Sequence, residues 1–125
     1  MNVVMNYNKP TGMLQLALFP EKHDYFQDIQ HIQGKMTSRD IGNIATMIED
    51  ACTLLDIAYQ GYNPDDASEY WKEDVFKLSK WEEVTSKGYV FLEHRHRVIR
   101  LYMIGGCLTM NLETLEKLLK QLEKV

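Results

Sequence analysis

Apolar and polar side chains alternate with a period of two through much of the last forty residues, a pattern typical of half-buried β-strands. Gly105-Gly106 stands between two such runs and predicts a two-residue hairpin turn that pairs Leu101 with Met110. One face of this hairpin is then apolar, with Ile99, Leu101, Met103, Leu108, Met110 and Leu112. The other face carries Arg100, Tyr102, Cys107 and Thr109. This division predicts an antiparallel sheet with one face in the core.

The preceding segment extends the same sheet. A tight turn at Arg95-His96 would pair Leu92 with Ile99 and would add Val90 and Leu92 to the apolar face. The pattern therefore predicts a C-terminal meander of three strands.

The first nineteen residues predict a separate hairpin. Residues 2–7 and 13–19 are rich in Val, Leu and aromatic side chains, and the turn-forming sequence Asn8-Lys9-Pro10-Thr11-Gly12 lies between them. On the second strand Leu14, Leu16 and Leu18 share one face. Pro20 should end that strand because proline has no N–H for the ladder.

The apolar spacing changes to that of a helix after Thr37 or Ser38, either of which can cap it, with Asp40 in the first turn. The heptad seam comprises Ile41, Ile44, Ile48, Ala51, Leu55, Ala58 and Tyr62. We expect this seam to lie in the core of the monomer, while a homodimer interface remains the alternative.

A second helix is predicted to start at the N-cap Asn63 and to end at Gly88, with Trp81 near the edge of its apolar stripe. The short connection predicts an antiparallel helical pair. A short helix is also predicted over residues 21–33, with Gly34 closing it.

The chain ends in an amphipathic helix capped by Asn111, whose apolar stripe comprises Leu115, Leu118, Leu119, Leu122 and Val125. The predicted fold class is therefore α+β. A small antiparallel sheet, built from the N-terminal hairpin and the C-terminal three-strand meander, packs against a helical pair and a C-terminal helix. We expect residues 1–125 to form a single domain.

Composition narrows the functional classes. With 125 residues, of which 45% are hydrophobic, the chain can fold without disulfides or metals. Cys52 and Cys107 are isolated, so we expect reduced core thiols in the cytoplasm. No targeting segment or membrane helix is expected. The net charge of −4 argues against a surface built throughout for nucleic acid.

The most unusual local feature is a basic tip, which comprises His94, Arg95, His96, Arg97 and Arg100. Arginine side chains match phosphate or carboxylate oxygens bidentately, so the tip is a candidate for binding nucleic acid or an acidic protein. The simpler interpretation is a solvated turn. His94 and His96 also form an H-x-H pair, but the sequence offers no clear third ligand, so no metal site and no cofactor are predicted.

The remaining candidates for partner binding are Tyr70, Trp71 and Trp81, because aromatic side chains that cannot share one helix face are favoured interface anchors. No phosphate loop, nucleophile elbow or zinc-finger spacing is present. We therefore expect a non-enzymatic regulator, inhibitor or adaptor of a larger protein, of the kind often encoded by phages or mobile elements. The alternatives are a nucleic-acid-binding module that uses Arg95, Arg97 and Arg100, and an enzyme of unrecognised type with His94 or His96 as an acid–base group.

Overall fold

The computed structural model describes residues 1–21, 28–60, 80–85 and 88–125. Within these ranges the chain forms two antiparallel sheets and two helices, so the α+β class is confirmed. The first sheet has the order β1-β2-β3, with β1 (Asn2–Asn8), β2 (Met13–Phe19) and β3 (Gln30–Lys35). The second has the order β4-β5-β6-β7, with β4 (Lys80–Thr85), β5 (Gly88–Arg95), β6 (Val98–Met103) and β7 (Gly106–Met110). The helices are α1 (Ser38–Gln60) and α2 (Leu112–Leu122).

The N-terminal hairpin forms as predicted. β1 pairs with β2 around a turn in which the Gly12 amide donates to the Asn8 carbonyl over 2.8 Å. Gly12 has a φ of 70°, a conformation that glycine adopts without strain. Leu14, Leu16 and Leu18 are fully buried, and the strand ends just before Pro20.

The predicted helix over residues 21–33 is wrong for its described end, because β3 begins at Gln30. This segment pairs antiparallel with β2, and Ile32 lies opposite Leu16 in the core. Residues 22–27 lie outside the described ranges. The local sequence pattern that predicted a helix was therefore overridden, because β2 offers this segment a strand partner.

The predicted second helix is wrong at its C-terminal end as well. Trp81 lies on β4, opposite Leu92 of β5, and Gly88 is the first residue of β5. Residues 61–79, which include Asn63 and most of the predicted helix, lie outside the described ranges. The second sheet consequently has four strands in place of the predicted three.

The meander is correct in its faces and displaced in its register. Leu92 pairs with Leu101, and Leu101 pairs with Leu108, so both hairpins are shifted by two residues from the predicted pairing. The turn residues are His96-Arg97 and Ile104-Gly105, and all four have positive φ. Because side chains alternate with a period of two, a shift of two residues leaves each strand residue on its predicted face. Leu112 is the exception, because it was predicted on the apolar sheet face and is the first residue of α2.

Both helices cover the inner faces of the sheets. The Thr37 hydroxyl accepts a hydrogen bond from the Asp40 amide at the start of α1, and Asn111 caps α2 through the Thr114 amide. The seam from Ile41 to Leu55 is buried within the single chain, so its described part belongs to the core and not to a dimer interface. α2 packs against α1 and β1.

The two sheets meet where β3 lies beside β7. The side-chain amide of Gln30 accepts from the Thr109 amide over 2.6 Å and donates to the Thr109 carbonyl over 2.8 Å. One side chain thus makes the pair of hydrogen bonds that a backbone neighbour would make in a ladder. The inner faces of both sheets contribute to one shared core.

Candidate protein-binding surface

The outer face of the second sheet carries a cluster of exposed apolar side chains. Cross-strand pairing places Val84 beside Tyr89, and it places Phe91 beside Tyr102, which in turn neighbours Cys107. We call these five residues the aromatic patch. The exposed fractions are 70% for Val84, 65% for Tyr89 and 37% for Tyr102. Phe91 and Tyr102 are in tilted ring contact, with centroids 5.7 Å apart.

A row of charged side chains borders the aromatic patch. The pairing sets Lys80, Glu93, Arg100 and Thr109 side by side across the four strands. We call these three charged residues, together with Thr109, the charged row. An Arg100 guanidinium nitrogen lies 3.5 Å from a Glu93 carboxylate oxygen. Both side chains are partly open to solvent, so this ion pair contributes little to stability and mainly orients the two groups.

An open cavity of about 550 Å³ adjoins the patch at the β6–β7 turn. Tyr89, Tyr102 and residues 103–107 line it. The cavity extends the apolar surface toward Ile104, and it contains Cys107, an exposed free thiol.

The outer face of the first sheet provides an internal comparison. Its exposed residues are Asn2, Val4, Asn6, Asn8, Gln15, Phe19, His31, Gln33 and Lys35. Gln15 and Gln33 are hydrogen-bonded to each other across the strands. The outer face of the first sheet is therefore mainly polar, with Val4 and Phe19 as its exposed apolar residues, while that of the second sheet presents three aromatic rings and Val84 beside the charged row. Contiguous exposed apolar side chains of this kind are typical of protein-interaction sites.

The predicted basic tip does not gather its cations at one point. Arg95 and His96 are exposed near the β5–β6 turn, whereas Arg100 lies in the charged row beside Glu93. The Arg97 guanidinium lies 4.9 Å from the ring centroid of Tyr59, and one of its nitrogens is 3.5 Å from the Tyr59 carbonyl. The arginines thus point in different directions and have different surroundings.

His94 lies in the core and not at the tip. Its side chain is only 3% exposed, and its Nε2 accepts the Arg97 amide over 3.3 Å. Burial lowers the pKa of His94, and the nearby His96 and Arg97 lower it further. Its ring lies 5.2 Å from that of Tyr59, between centroids. Burial also raises the pKa of Tyr59 to about 12, partly opposed by Arg97.

Two polar atoms in this contact have no hydrogen-bond partner among the described residues: the Tyr59 hydroxyl and His94 Nδ1. The turn at His96-Arg97 separates the two imidazoles of the H-x-H pair, since His94 faces the core and His96 faces water. In the described ranges, no three His, Cys, Asp or Glu side chains are grouped so as to hold a metal ion.

The other aromatic candidates are distributed as follows. Trp81 is partly buried and packs against the core from β4, on the inner face of the sheet. Tyr70 and Trp71 lie outside the described ranges. Trp81 is therefore not part of the aromatic patch.

The two cysteines differ in environment. Cys52 is buried in the core, and its burial, together with Glu116 and Glu49, raises the pKa of its thiol to about 12. The prediction of a core thiol is confirmed for Cys52 and wrong for Cys107, which lies exposed on the outer face of β7.

Val84, Tyr89 and Phe91 are not among the binding residues predicted from the sequence, although Tyr102 and Cys107 are predicted on the outer face. A signal was available. Tyr89 and Phe91 alternate with Val90 and Leu92, so aromatic side chains stand on the face where a solvated strand normally has polar ones. Assigning residues 80–85 to a helix removed the neighbouring strand and concealed the pattern.

None of the described helices is long and apolar enough to cross a membrane. Comparison of the chain with protein-family models, with curated proteins and with solved structures finds no match.

Proposed function

We propose that this protein is a non-enzymatic protein-binding domain that acts as a regulator, inhibitor or adaptor, and that it binds through the aromatic patch. The observation that supports this proposal is the contrast between the outer faces of the two sheets. The rings of Tyr89, Phe91 and Tyr102 lie on one face, while the other carries the single ring of Phe19 and Val4 among asparagine and glutamine side chains. Tyrosine and phenylalanine are enriched at protein interfaces because they bury a large area with few rotatable bonds.

The charged row adds specificity to this surface. An apolar centre with polar and charged neighbours on one side resembles the core and rim of a protein interface. Charges at the rim affect orientation and association rate more than affinity. We do not base the proposal on the basic tip, because Arg97 packs on Tyr59 and Arg100 lies beside Glu93.

Site-specific photo-crosslinking tests the proposal. A benzophenone amino acid at position 102 reports contacts of the aromatic patch, and the same amino acid at Gln33 reports contacts of the polar face of the first sheet. In native lysate we expect a discrete crosslinked protein species from position 102 and none from position 33. We expect Tyr89→Ser to weaken the crosslink from position 102.

Two results would contradict the proposal. One is the absence of any protein crosslink at position 102. The other is an equal pattern from positions 102 and 33, which would mean that contacts are not specific to the patch.

A further inference from the structure

We propose that the partner bound by the aromatic patch is a second copy of this chain, related by a two-fold axis that runs parallel to the strands between β5 and β6. This inference rests on the proposed function, since it assigns an occupant to the same surface. It follows from the order of side chains across the sheet, which is complementary to itself.

A two-fold axis of this kind reverses the order of the strands but keeps each cross-strand row at its own level. β5 of one copy then lies over β6 of the other. In the charged row, Glu93 faces Arg100 of the second copy, and Arg100 faces its Glu93. The intrachain ion pair at 3.5 Å becomes part of a cluster of four alternating charges.

The next row behaves in the same way. Phe91 pairs with Tyr102 within the sheet, so Phe91 of each copy faces Tyr102 of the other copy across the axis. Offset or tilted aromatic pairs of this kind add to the gain from burying the rings. The centre of the interface would therefore contain four aromatic rings.

The outer members of the rows meet without conflict. Reversing the strand order sets Lys80 against Thr109 of the second copy and Glu82 against Cys107. Arg95, which pairs with Val98 within the sheet, faces Val98 of the second copy. No like charges oppose each other in these rows, a condition that an isologous interface must meet and that a surface adapted to an unrelated protein need not meet.

The size of the face sets the expected strength. Strands about 4.8 Å apart and rows two residues apart give a face of about 400 Å² in projection. Stable interfaces usually bury about 800 Å² per partner, so we expect a weak, reversible dimer with a dissociation constant in the micromolar range. The charges are expected to determine the register, and the aromatic rings are expected to supply most of the affinity.

Sedimentation velocity on the full chain provides the first test. Between about 10 and about 500 μM we expect the wild-type sedimentation coefficient to rise from that of a monomer toward that of a dimer, as a micromolar constant requires. Tyr102→Ser should weaken self-association at least about tenfold through loss of the central ring contacts. A wild-type chain that remains monomeric over the whole range overturns the inference.

Charge reversal tests the proposed axis itself. Glu93→Arg sets two arginines against each other across the interface, and Arg100→Glu sets two glutamates, so neither variant should dimerise. In an equimolar mixture the introduced arginine faces the introduced glutamate and the native residues face each other, so a heterodimer should form. The double variant, with both changes in one chain, should dimerise like wild type.

Gln33→Arg is the matched control, since it adds a charge to the polar face and should leave the dimer unchanged. Circular dichroism checks that each variant is folded. Glu93 and Arg100 are both partly exposed, so we expect normal spectra from the charge-reversal variants. If the mixed variants do not associate, the axis is wrong. A monomeric chain that still forms a specific crosslink from position 102 to another protein would overturn the dimer and leave the proposed function intact. Crosslinks from position 102 to its own chain alone would support the dimer and contradict a role on another protein.

Discussion

At the scale of single residues, the least satisfied polar groups lie where the C-terminal end of α1 meets the β5–β6 hairpin. His94 and Tyr59 are in ring contact, and each has a buried polar atom with no hydrogen-bond partner in the described ranges. Arg97 covers the Tyr59 ring and donates its amide hydrogen to His94. His94, which a solvated turn would expose to water, is thus one of the buried polar residues of the fold.

His94 should make the stability of the fold depend on pH. Its pKa is lowered in the folded chain, mainly by burial, and an unfolded histidine titrates near the ordinary value of 6.5. Below pH 6.5 the unfolded chain therefore binds a proton that the folded chain does not bind. The free energy of unfolding falls as the pH drops, with a slope of at most about 1.4 kcal/mol per pH unit, and levels off below the folded pKa.

Urea unfolding at pH 7.5 and pH 5.5 measures this effect. We expect His94→Phe to lose less stability than wild type between these two pH values, because it has no group to protonate. His31→Gln is the control, since residue 31 is exposed on β3 and is not among the groups that lower the pKa of His94. If all three proteins lose the same stability, His94 is not the titrating group.

At the scale of elements, the contact between β3 and β7 determines where the chain turns. A Cβ added at Gly34 would overlap Cγ2 of Ile104, and a Cβ added at Gly106 would overlap Cγ2 of Ile32. Each isoleucine thus fills the space left by a glycine on the opposite strand. Gly105 has a different role, because its φ of 74° belongs to the turn.

Gly34→Ala should therefore destabilise the fold by about 1–3 kcal/mol, because the stiff β-branched side chain of Ile104 cannot easily move aside. Gly42→Ala is the matched control on the exposed face of α1, where an added Cβ meets nothing within 4 Å. That change should stabilise the protein by about 0.5–1 kcal/mol, since alanine favours a helix.

Chemical denaturation of both variants and of Gly34→Ala combined with Ile104→Ala measures the coupling. We expect the second substitution to recover part of the loss, because it removes the overlapping methyl group. A Gly34→Ala variant as stable as wild type would show that β3 and β7 do not approach closely.

Over the whole molecule, the described sheets and helices enclose one shared core, and the aromatic patch lies on the outer face of the second sheet. The cysteines report on these two environments separately. Cys107 lies in the aromatic patch, while Cys52 lies in the core with a thiol pKa raised to about 12.

Thiol labelling with a disulfide reagent at pH 8 should therefore be biphasic. Cys107 should react rapidly, and Cys52 should react only as the chain opens, since both its burial and its scarcity of thiolate slow the reaction. Cys107→Ser should remove the rapid phase, and Cys52→Ala should remove the slow one. If a second copy covers the patch, raising the protein concentration should slow the reaction of Cys107. Equal reaction rates for the two thiols would contradict the buried position of Cys52.

The assignment of side chains to faces follows from local sequence alone. Alternation on Met13–Phe19 and over the C-terminal strands identified the buried leucines, and heptad spacing identified the seam of α1, because these periods are properties of the local backbone. These assignments were unaffected by the register error of two residues. The caps at Thr37 and Asn111 were equally readable, since each satisfies an amide three residues away.

Contacts between distant segments determine which segments pair as strands and where the turns lie. Gln30–Lys35 is a strand because β2 offers it an edge, and Lys80–Thr85 is a strand because β5 does. The turn lies at Ile104-Gly105 because Gly106 must approach Ile32. Such contacts join residues far apart in sequence, so no local period contains them. The aromatic patch spans four strands and exists only after those strands have paired.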